Sequence, residues 1–137
     1  MSKCLRLASI FLLSITVGCS SASKPSKPDE ITTIKSPIDG VFYTVENSYG
    51  QSAIDSDFTR VFAHLERNGK SVKVLVLSGA YLKVSKIVWD NQHENTICLG
   101  GGFTETFHNE ITLIAGGASE TIHSHLQENC SDLEPHK

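Results

Sequence analysis

Three histidines near the carboxyl end of the chain have the residue type and spacing for metal chemistry. His123 and His125 lie two residues apart in the segment ETIHSHL, which predicts a strand, so their side chains share one face. Two imidazoles in that arrangement can bind Zn²⁺ or Cu²⁺, and His108 or Glu120 would supply a third ligand. A small metal-dependent envelope hydrolase using His108, His123 and His125 is therefore one hypothesis for the function.

The opposite face of the same predicted strand favours a different interpretation. Ile122 and Leu126 mark that face as the core side, which leaves the two histidines facing solvent without a role as ligands. The chain also lacks the H-E-x-x-H and G-x-S-x-G motifs, and its glycines do not have the spacing of a phosphate-binding loop. We therefore expect no metal, no cofactor and no enzymatic activity.

The four cysteines, Cys4, Cys19, Cys98 and Cys130, are the other residues that could do chemistry. An even number invites pairing into two disulfides, but the surroundings of the first two differ from those of the last two. None of them belongs to a C-x-x-C motif, so a redox-catalytic role has no support. Their roles depend on the segments in which they lie.

The amino-terminal segment has the composition of a secretory signal peptide. Lys3 and Arg6 precede an apolar run of 11 residues from Leu7 to Val17. Crossing a bilayer takes roughly 20 helical residues, so this run is too short for a transmembrane helix. A basic start, a short apolar core and small residues after it are typical of a signal peptide, which we place at residues 1 to 18.

The end of this segment, Ile15-Thr16-Val17-Gly18-Cys19, resembles the lipobox of bacterial lipoproteins. The resemblance covers only about the first twenty residues; Thr16 departs from the commoner Leu. It implies that Cys19 carries a diacylglycerol on its thiol and becomes the acylated first residue after cleavage. An Asp after the Cys commonly retains such proteins in the inner membrane, whereas this chain has Ser20. The resemblance thus implies a palmitate-type lipid anchor in the outer membrane, facing the periplasm.

If Cys4 leaves with the signal peptide and Cys19 is acylated, Cys98 and Cys130 remain in an oxidising compartment. We therefore predict one disulfide between them. It would close a loop of about 31 residues and stabilise the fold by roughly 3 to 4 kcal/mol in the chain-entropy model.

Residues 19 to 37 follow as a predicted tether, and residues 38 to 137 as one small domain. Pro25, Pro28 and Pro37 interrupt regular structure in the tether, and a flexible chain of about 18 residues reaches roughly 20 to 25 Å. The formal net charge of −3 becomes −5 once Lys3 and Arg6 are removed. Without a cluster of basic residues, the chain is not expected to bind nucleic acid.

The domain is predicted to be α+β, with one amphipathic helix on an antiparallel meander sheet of about five to six strands. The helix is placed before Asn68-Gly69, because Phe58, Val61, Phe62 and Leu65 fall at i, i+3, i+4 and i+7. Strands are predicted from Val41 to Val45 and, after Ser71, between turns about 8 to 12 residues apart. A bulge is predicted near Ser85-Lys86, where the apolar residues change from even to odd positions.

These observations predict an exported, membrane-anchored lipoprotein that acts as a non-enzymatic, periplasm-facing binding module. The partner would be an envelope protein or a toxin, by analogy with small lipoproteins of the immunity and exclusion type. The aromatic residues that could form its binding face are Tyr43, Tyr49, Tyr81 and Trp89, of which Trp89 lies beside a polar turn and is the first candidate.

Overall fold

The computed structural model of the chain describes residues 27 to 50 and 56 to 131, and these form nine β-strands. In chain order they are β1 (Glu30–Lys35), β2 (Val41–Ser48), β3 (Phe58–Arg67), β4 (Lys70–Ala80), β5 (Val84–Trp89), β6 (Glu94–Leu99), β7 (Phe103–Phe107), β8 (Glu110–Ala115) and β9 (Ala118–Glu128). These described ranges contain no helix, and hence no helical segment long and apolar enough to cross a bilayer.

The strands form two sheets that pack face to face as a β-sandwich. The five-stranded sheet has the order β1-β2-β3-β4-β7, and the four-stranded sheet has the order β5-β6-β9-β8. One hydrophobic core fills the space between them, with contributions from both sheets such as Tyr43, Leu65, Leu77, Ile97, Leu113 and Ile122. The predicted α+β class is therefore wrong: the described part of the domain is built of strands alone.

The predicted amphipathic helix is strand β3. Its buried residues alternate with period two, since Thr59, Val61, Ala63 and Leu65 all point into the core. The inward positions include a polar Thr and a small Ala, so they contribute little to a hydrophobic pattern. The outward positions include Phe58 and Phe62, whose large side chains made the helical spacing look apolar.

Both outward phenylalanines are partly covered by cationic side chains. The Arg60 guanidinium lies 5.7 Å from the centre of the Phe58 ring, and the Lys73 ammonium lies 3.9 Å from the centre of the Phe62 ring. Cation–π contacts of this kind make an aromatic residue acceptable on the outer face of a sheet. An outward Phe therefore does not mark a core face here.

Asn68-Gly69 closes a hairpin and does not end a helix. Arg67 pairs with Lys70 across the two-residue turn, in which Asn68 has φ of 50° and Gly69 has φ of 72°. Two successive positive φ values are the signature of a type I′ turn, which joins antiparallel strands. A left-handed Asn-Gly pair suits both a helix end and this hairpin, so the pair alone did not distinguish them.

The predicted antiparallel meander is also wrong in its topology. Strands β6 and β9 are parallel neighbours, with Glu94 opposite His123 and Leu99 opposite Glu128. The chain reaches this arrangement by placing β7 in the five-stranded sheet before β8 and β9 return to the other sheet. Sequential pairing, on which the meander prediction relied, fails at this crossing between the two sheets.

Other local predictions are confirmed. Val41 to Val45 lies in β2, and β5 has an irregular register between Val84 and Lys86, at the predicted bulge. A second shift, between Val61 and Phe62 of β3, leaves Val76 of β4 without an opposite residue. This bulge explains why the second half of β4 is apolar at consecutive positions.

Two hairpins lock the sheets together at one end of the sandwich. The β8–β9 turn, Gly116-Gly117, lies against the β3–β4 turn, and the Asn68 side-chain amide donates to the Gly116 carbonyl oxygen at 2.7 Å. A Cβ at position 116 would lie 2.1 Å from the Arg67 carbonyl oxygen, and Gly116 has φ of 57°. Glycine is therefore required here both by backbone conformation and by close approach.

Strand β1 lies in the segment predicted as tether. It pairs with β2 along its whole length, from Glu30 opposite Asn47 to Lys35 opposite Phe42. Five of its six residues are nevertheless exposed, because the four-stranded sheet does not cover this edge. The pairing extends to Asp29, just before β1, whose amide donates to the Asn47 carbonyl oxygen.

Candidate functional site

The histidines of β9 face outward. Ile122 and Ser124 are buried, and His123 and His125 point to the opposite face of the four-stranded sheet. The Nδ1 atom of His123 lies 3.4 Å from an oxygen of Glu110 on the neighbouring strand β8. This pair is half exposed, and at that distance it is a weak ion pair that forms only when the imidazole is protonated.

The proposed third ligands do not join these histidines. Glu120 lies opposite the buried Leu113 and so belongs to the other face of β9. His108 lies in the β7–β8 connection, where its amide donates to the Val76 carbonyl oxygen. Among residues 27 to 50 and 56 to 131 there is no group of three or more His, Cys, Asp or Glu side chains arranged to hold a metal ion.

The predicted disulfide between Cys98 and Cys130 is confirmed. The two Cα atoms are 5.7 Å apart, within the range that a disulfide spans. Both cysteines are buried, and with Val88 they form a small apolar cluster on the outer side of the four-stranded sheet. The bridge fixes the chain after β9 to the end of β6.

Cys19, the predicted lipidation site, lies outside the described residues, as do the rest of the lipobox, the signal peptide and the predicted tether up to residue 26.

Trp89 belongs to the interior. Its ring meets the Tyr43 ring edge-on, with 5.6 Å between the centres. Tyr43 is fully buried, and its hydroxyl oxygen accepts a hydrogen bond from the Asn95 side-chain amide at 3.1 Å. Burial raises the pKa of Tyr43, and the side chains of Asn95 and Ser124 offset part of that rise. Tyr43 and Trp89 therefore serve packing between the sheets.

Tyr49 and Tyr81, in contrast, lie at the mouth of a cleft at one end of the sandwich. Their exposed fractions are 51% and 54%, unusually high for tyrosine in a small domain. The cleft has a volume of about 500 Å³ and lies where β2 ends, β3 begins and β4 ends. We call it the tyrosine cleft; its walls also include Asn47, Asp57, Phe58, Thr59, Leu82 and Lys83.

Tyr49 is hydrogen-bonded to two residues at the start of β1. Its hydroxyl donates to a carboxylate oxygen of Glu30 at 2.6 Å, and its amide donates to a carboxylate oxygen of Asp29 at 2.7 Å. The hydrogen bond to Glu30 is the main cause that raises the pKa of Tyr49, and the negative charges of Glu30, Asp57 and Asp29 add to it. The phenol therefore stays protonated as a donor in an acidic environment.

Tyr81 is held by its backbone. Its φ of 54° lies in the left-handed region, which is unfavourable for a tyrosine, and its amide donates to the Asp57 carbonyl oxygen at 2.8 Å. The next residue, Leu82, is buried, and its carbonyl oxygen accepts a hydrogen bond from the Thr59 hydroxyl at 2.8 Å. Because Leu82 is buried and Tyr81 has a left-handed backbone conformation, the Tyr81 ring points outward.

Both tyrosines are among the aromatic residues that the sequence predicts as a binding face, in which Trp89 is the first candidate. Each tyrosine adjoins a turn former, in Ser48-Tyr49-Gly50 and Gly79-Ala80-Tyr81, and this position beside a chain reversal is the feature that separates them from Tyr43. Large aromatic residues at turns lie at the surface more readily than those inside alternating strands.

The cleft has the chemistry of a binding surface. It offers aromatic rings, the Asp57 carboxylate, the Lys83 ammonium and a side-chain amide, and the described residues that line it include no Cys or His and no Ser or Thr paired with a base. No family model, curated protein or solved structure matches the chain. The site must therefore be interpreted from its own residues.

Proposed function

We propose that this protein is a lipid-anchored envelope lipoprotein whose β-sandwich binds a protein partner through the tyrosine cleft, without catalysis. The observation that carries the proposal is the pair of half-exposed tyrosines, Tyr49 and Tyr81, at the mouth of one concave site. Tyrosine is enriched among the residues that dominate protein–protein binding energy, because its ring supplies contact area and its hydroxyl a hydrogen bond at a small entropic cost.

The rigidity of the site supports a binding role. Tyr49 is tied to Asp29 and Glu30 by hydrogen bonds of 2.7 and 2.6 Å, and Tyr81 is fixed by its backbone bond to Asp57. Side chains that are already ordered lose little conformational freedom when a partner binds. The cleft is thus preorganised for contact.

The proposed anchor would hold this cleft near the membrane. Cys19 carries the lipid in this proposal, and the chain enters the domain at Asp29, which contacts Tyr49 directly. As a flexible chain, the connecting residues would give an average reach of roughly 15 to 20 Å from the lipid surface. A partner at the periplasmic side of the outer membrane, whether a resident envelope protein or an incoming toxin, lies within that reach.

Photo-crosslinking tests the binding surface. A photoreactive amino acid replaces Tyr81 in the lipidated protein in cells, and a matched protein carries it at Ile114, which is 66% exposed on the outer face of the four-stranded sheet. We expect a discrete adduct with one protein from position 81 and none from position 114. The captured protein should then form a stoichiometric complex with the purified domain. Equal adducts at both positions, or no complex, would refute the proposal.

Metabolic labelling tests the anchor separately. Cells grown with a palmitate analogue should label the wild-type chain, and Cys19→Ala should abolish the label and release the protein from the membrane fraction. Cys98→Ala provides a matched control, because it removes a thiol from the disulfide and leaves Cys19 in place. Labelling that persists in Cys19→Ala would rule out the lipobox interpretation.

No observation favours the alternative of a metal-dependent hydrolase, since Glu120 lies on the wrong face and His108 on a separate connection.

A further inference from the structure

Three carboxylates surround Tyr49 at the edge of the tyrosine cleft: Asp57 lines the cleft, and Asp29 and Glu30 lie beside Tyr49 at the start of β1. Asp29 accepts a hydrogen bond from the Tyr49 amide, Glu30 accepts one from the Tyr49 hydroxyl, and Asp57 accepts one from the Gly50 amide at 3.0 Å. Each of these bonds uses one oxygen of its carboxylate. The three negative charges are therefore fixed in place, and the donors among residues 27 to 50 and 56 to 131 leave the second oxygen of each carboxylate open to a ligand.

None of these three carboxylates belongs to an ion pair of the described residues. Within residues 27 to 50 and 56 to 131, the ion pairs are Arg67 with Asp39, Lys73 with Glu46 and His123 with Glu110. All three pairs lie away from the tyrosine cleft. Hydrogen-bond donors of the chain thus orient the acidic groups around Tyr49 without neutralising them.

Two aromatic faces lie beside this unneutralised charge. Tyr49 and Tyr81 are each about half exposed and belong to the same cleft. An aromatic face attracts a Lys ammonium or an Arg guanidinium through its quadrupole, and a nearby carboxylate strengthens that attraction. The same surface already shows such a contact, since Arg60 lies over the Phe58 ring.

We propose that the tyrosine cleft recognises a Lys or Arg side chain carried by an exposed polypeptide segment of the partner. This inference rests on the proposed function and adds the chemistry of the occupant. The cation would lie against the Tyr49 ring and pair with Asp57 on the cleft wall, and the negative charges of Asp29 and Glu30, on the β1 side of Tyr49, would add to its attraction. Lys83, on the wall next to Tyr81, opposes the cation and selects against additional positive charge on that side.

A neutral glycan is the competing occupant, because sugar rings also stack on tyrosine. Stacking alone gains nothing from three negative charges, and carboxylates left without a cation are an unfavourable arrangement that a glycan would not relieve. The charge of the site therefore favours the cationic segment.

Amide chemical shifts of the full-length domain test the proposal directly. The probes are a hexa-arginine peptide, a hexaglutamate peptide of equal length and the neutral sugar triacetylchitotriose. We expect hexa-arginine alone to shift the amides of Tyr49, Gly50 and Asp57, and its affinity to fall as salt is raised. Shifts of the same amides by the sugar, with none from hexa-arginine, would overturn the proposal.

Charge variants provide the second part of the test. Asp29→Asn combined with Asp57→Asn keeps the accepting oxygens and removes two charges, and should weaken hexa-arginine binding by about tenfold. Lys83→Gln should strengthen it by about two- to threefold. Glu110→Gln, which removes one charge on the four-stranded sheet, should leave it unchanged. Equal affinities in the double variant and the wild type would also overturn the proposal.

The two proposals can fail separately. If position 81 captures a partner that contacts the cleft through neutral residues, the binding function stands and the cation inference is wrong. If hexa-arginine binds as expected and position 81 captures no protein in cells, the cation site stands and the proposed partner interaction is wrong.

Discussion

Strand β2 brings two tyrosines into opposite environments. Tyr43 lies in the middle of the strand, fully buried between the sheets, whereas Tyr49 follows its last residue and is half exposed in the cleft. The pKa of each hydroxyl is raised, but burial is the main cause for Tyr43 and the hydrogen bond to Glu30 is the main cause for Tyr49. The same perturbation therefore has two different physical origins.

The comparison separates a stabilising region from a binding region. The surroundings of Tyr43 are neutral and tightly packed, and their buried polar atoms include Trp89 Nε1 and Asn95 Oδ1, which have no hydrogen-bond partner within the described structure. The surroundings of Tyr49 are charged and open to solvent. Of the two raised pKa values, only that of Tyr49 arises mainly from charged groups in an exposed position.

Replacement of each tyrosine by alanine should give the largest difference in stability between the two regions. Tyr43→Ala removes the ring that meets Trp89 and leaves the Asn95 amide without its acceptor, so we expect a loss of about 3 to 5 kcal/mol in the free energy of unfolding. Tyr49→Ala removes an exposed ring and should cost less than about 1 kcal/mol. Denaturant titration measures both, and equal losses would contradict the division into two regions.

Removal of the disulfide should destabilise the sandwich and leave the cleft functional. Cys98→Ser with Cys130→Ser should lower the free energy of unfolding by roughly 3 to 4 kcal/mol, because the unfolded chain regains loop entropy. Neither cysteine lines the cleft, so hexa-arginine binding by the folded fraction should be unchanged. A loss of binding without unfolding would mean that the two regions are coupled.

The sequence predicted the local features of this fold better than its architecture. The bulge at Ser85 and the pairing of Cys98 with Cys130 follow from short-range patterns and from the number of cysteines. The helix assigned to β3 failed because a strand with Thr59 and Ala63 inward and phenylalanines outward imitates helical spacing. The parallel pairing of β6 with β9 depends on distant segments that no local pattern specifies.

The candidate site was only partly predictable for the same reason. Tyr49 and Tyr81 could be recognised in the sequence as aromatic residues. They lie 32 positions apart, however, and line the same cleft only because β2 and β4 both flank β3. Glu30 lay in a segment predicted as tether, so its contact with Tyr49 could not be anticipated. His123 and His125 were correctly placed two apart on one face, yet the fold brings them neither Glu120 nor a third ligand among its described residues.

Removal of the hydroxyl groups gives a smaller difference between the regions. Tyr43→Phe should cost about 1 to 3 kcal/mol of unfolding free energy, because the Asn95 amide donor stays buried and loses its acceptor. Tyr49→Phe should change stability by less than about 0.5 kcal/mol, since water replaces the exposed hydrogen bond to Glu30. Thermal and denaturant unfolding of both variants test this, and a neutral Tyr43→Phe would show that water already satisfies Asn95.

The smallest expected effect is on the titration of Tyr49. It tests directly whether the hydrogen bond to Glu30 causes the raised pKa of Tyr49. Because ionisation places a second negative charge beside Glu30, Glu30→Gln should lower the Tyr49 pKa toward its ordinary value of 10.0 and leave the pKa of Tyr43 unchanged. The raised pKa in the folded state also means that any stabilisation from this bond is complete below about pH 10 and is lost as the pH rises through the folded value. Carbon-13 shifts of the tyrosine Cζ atoms report each residue separately. If the Tyr49 midpoint does not move, the Glu30 hydrogen bond is not the main cause of the shift, and the acidic character assigned to this side of the cleft loses its principal support.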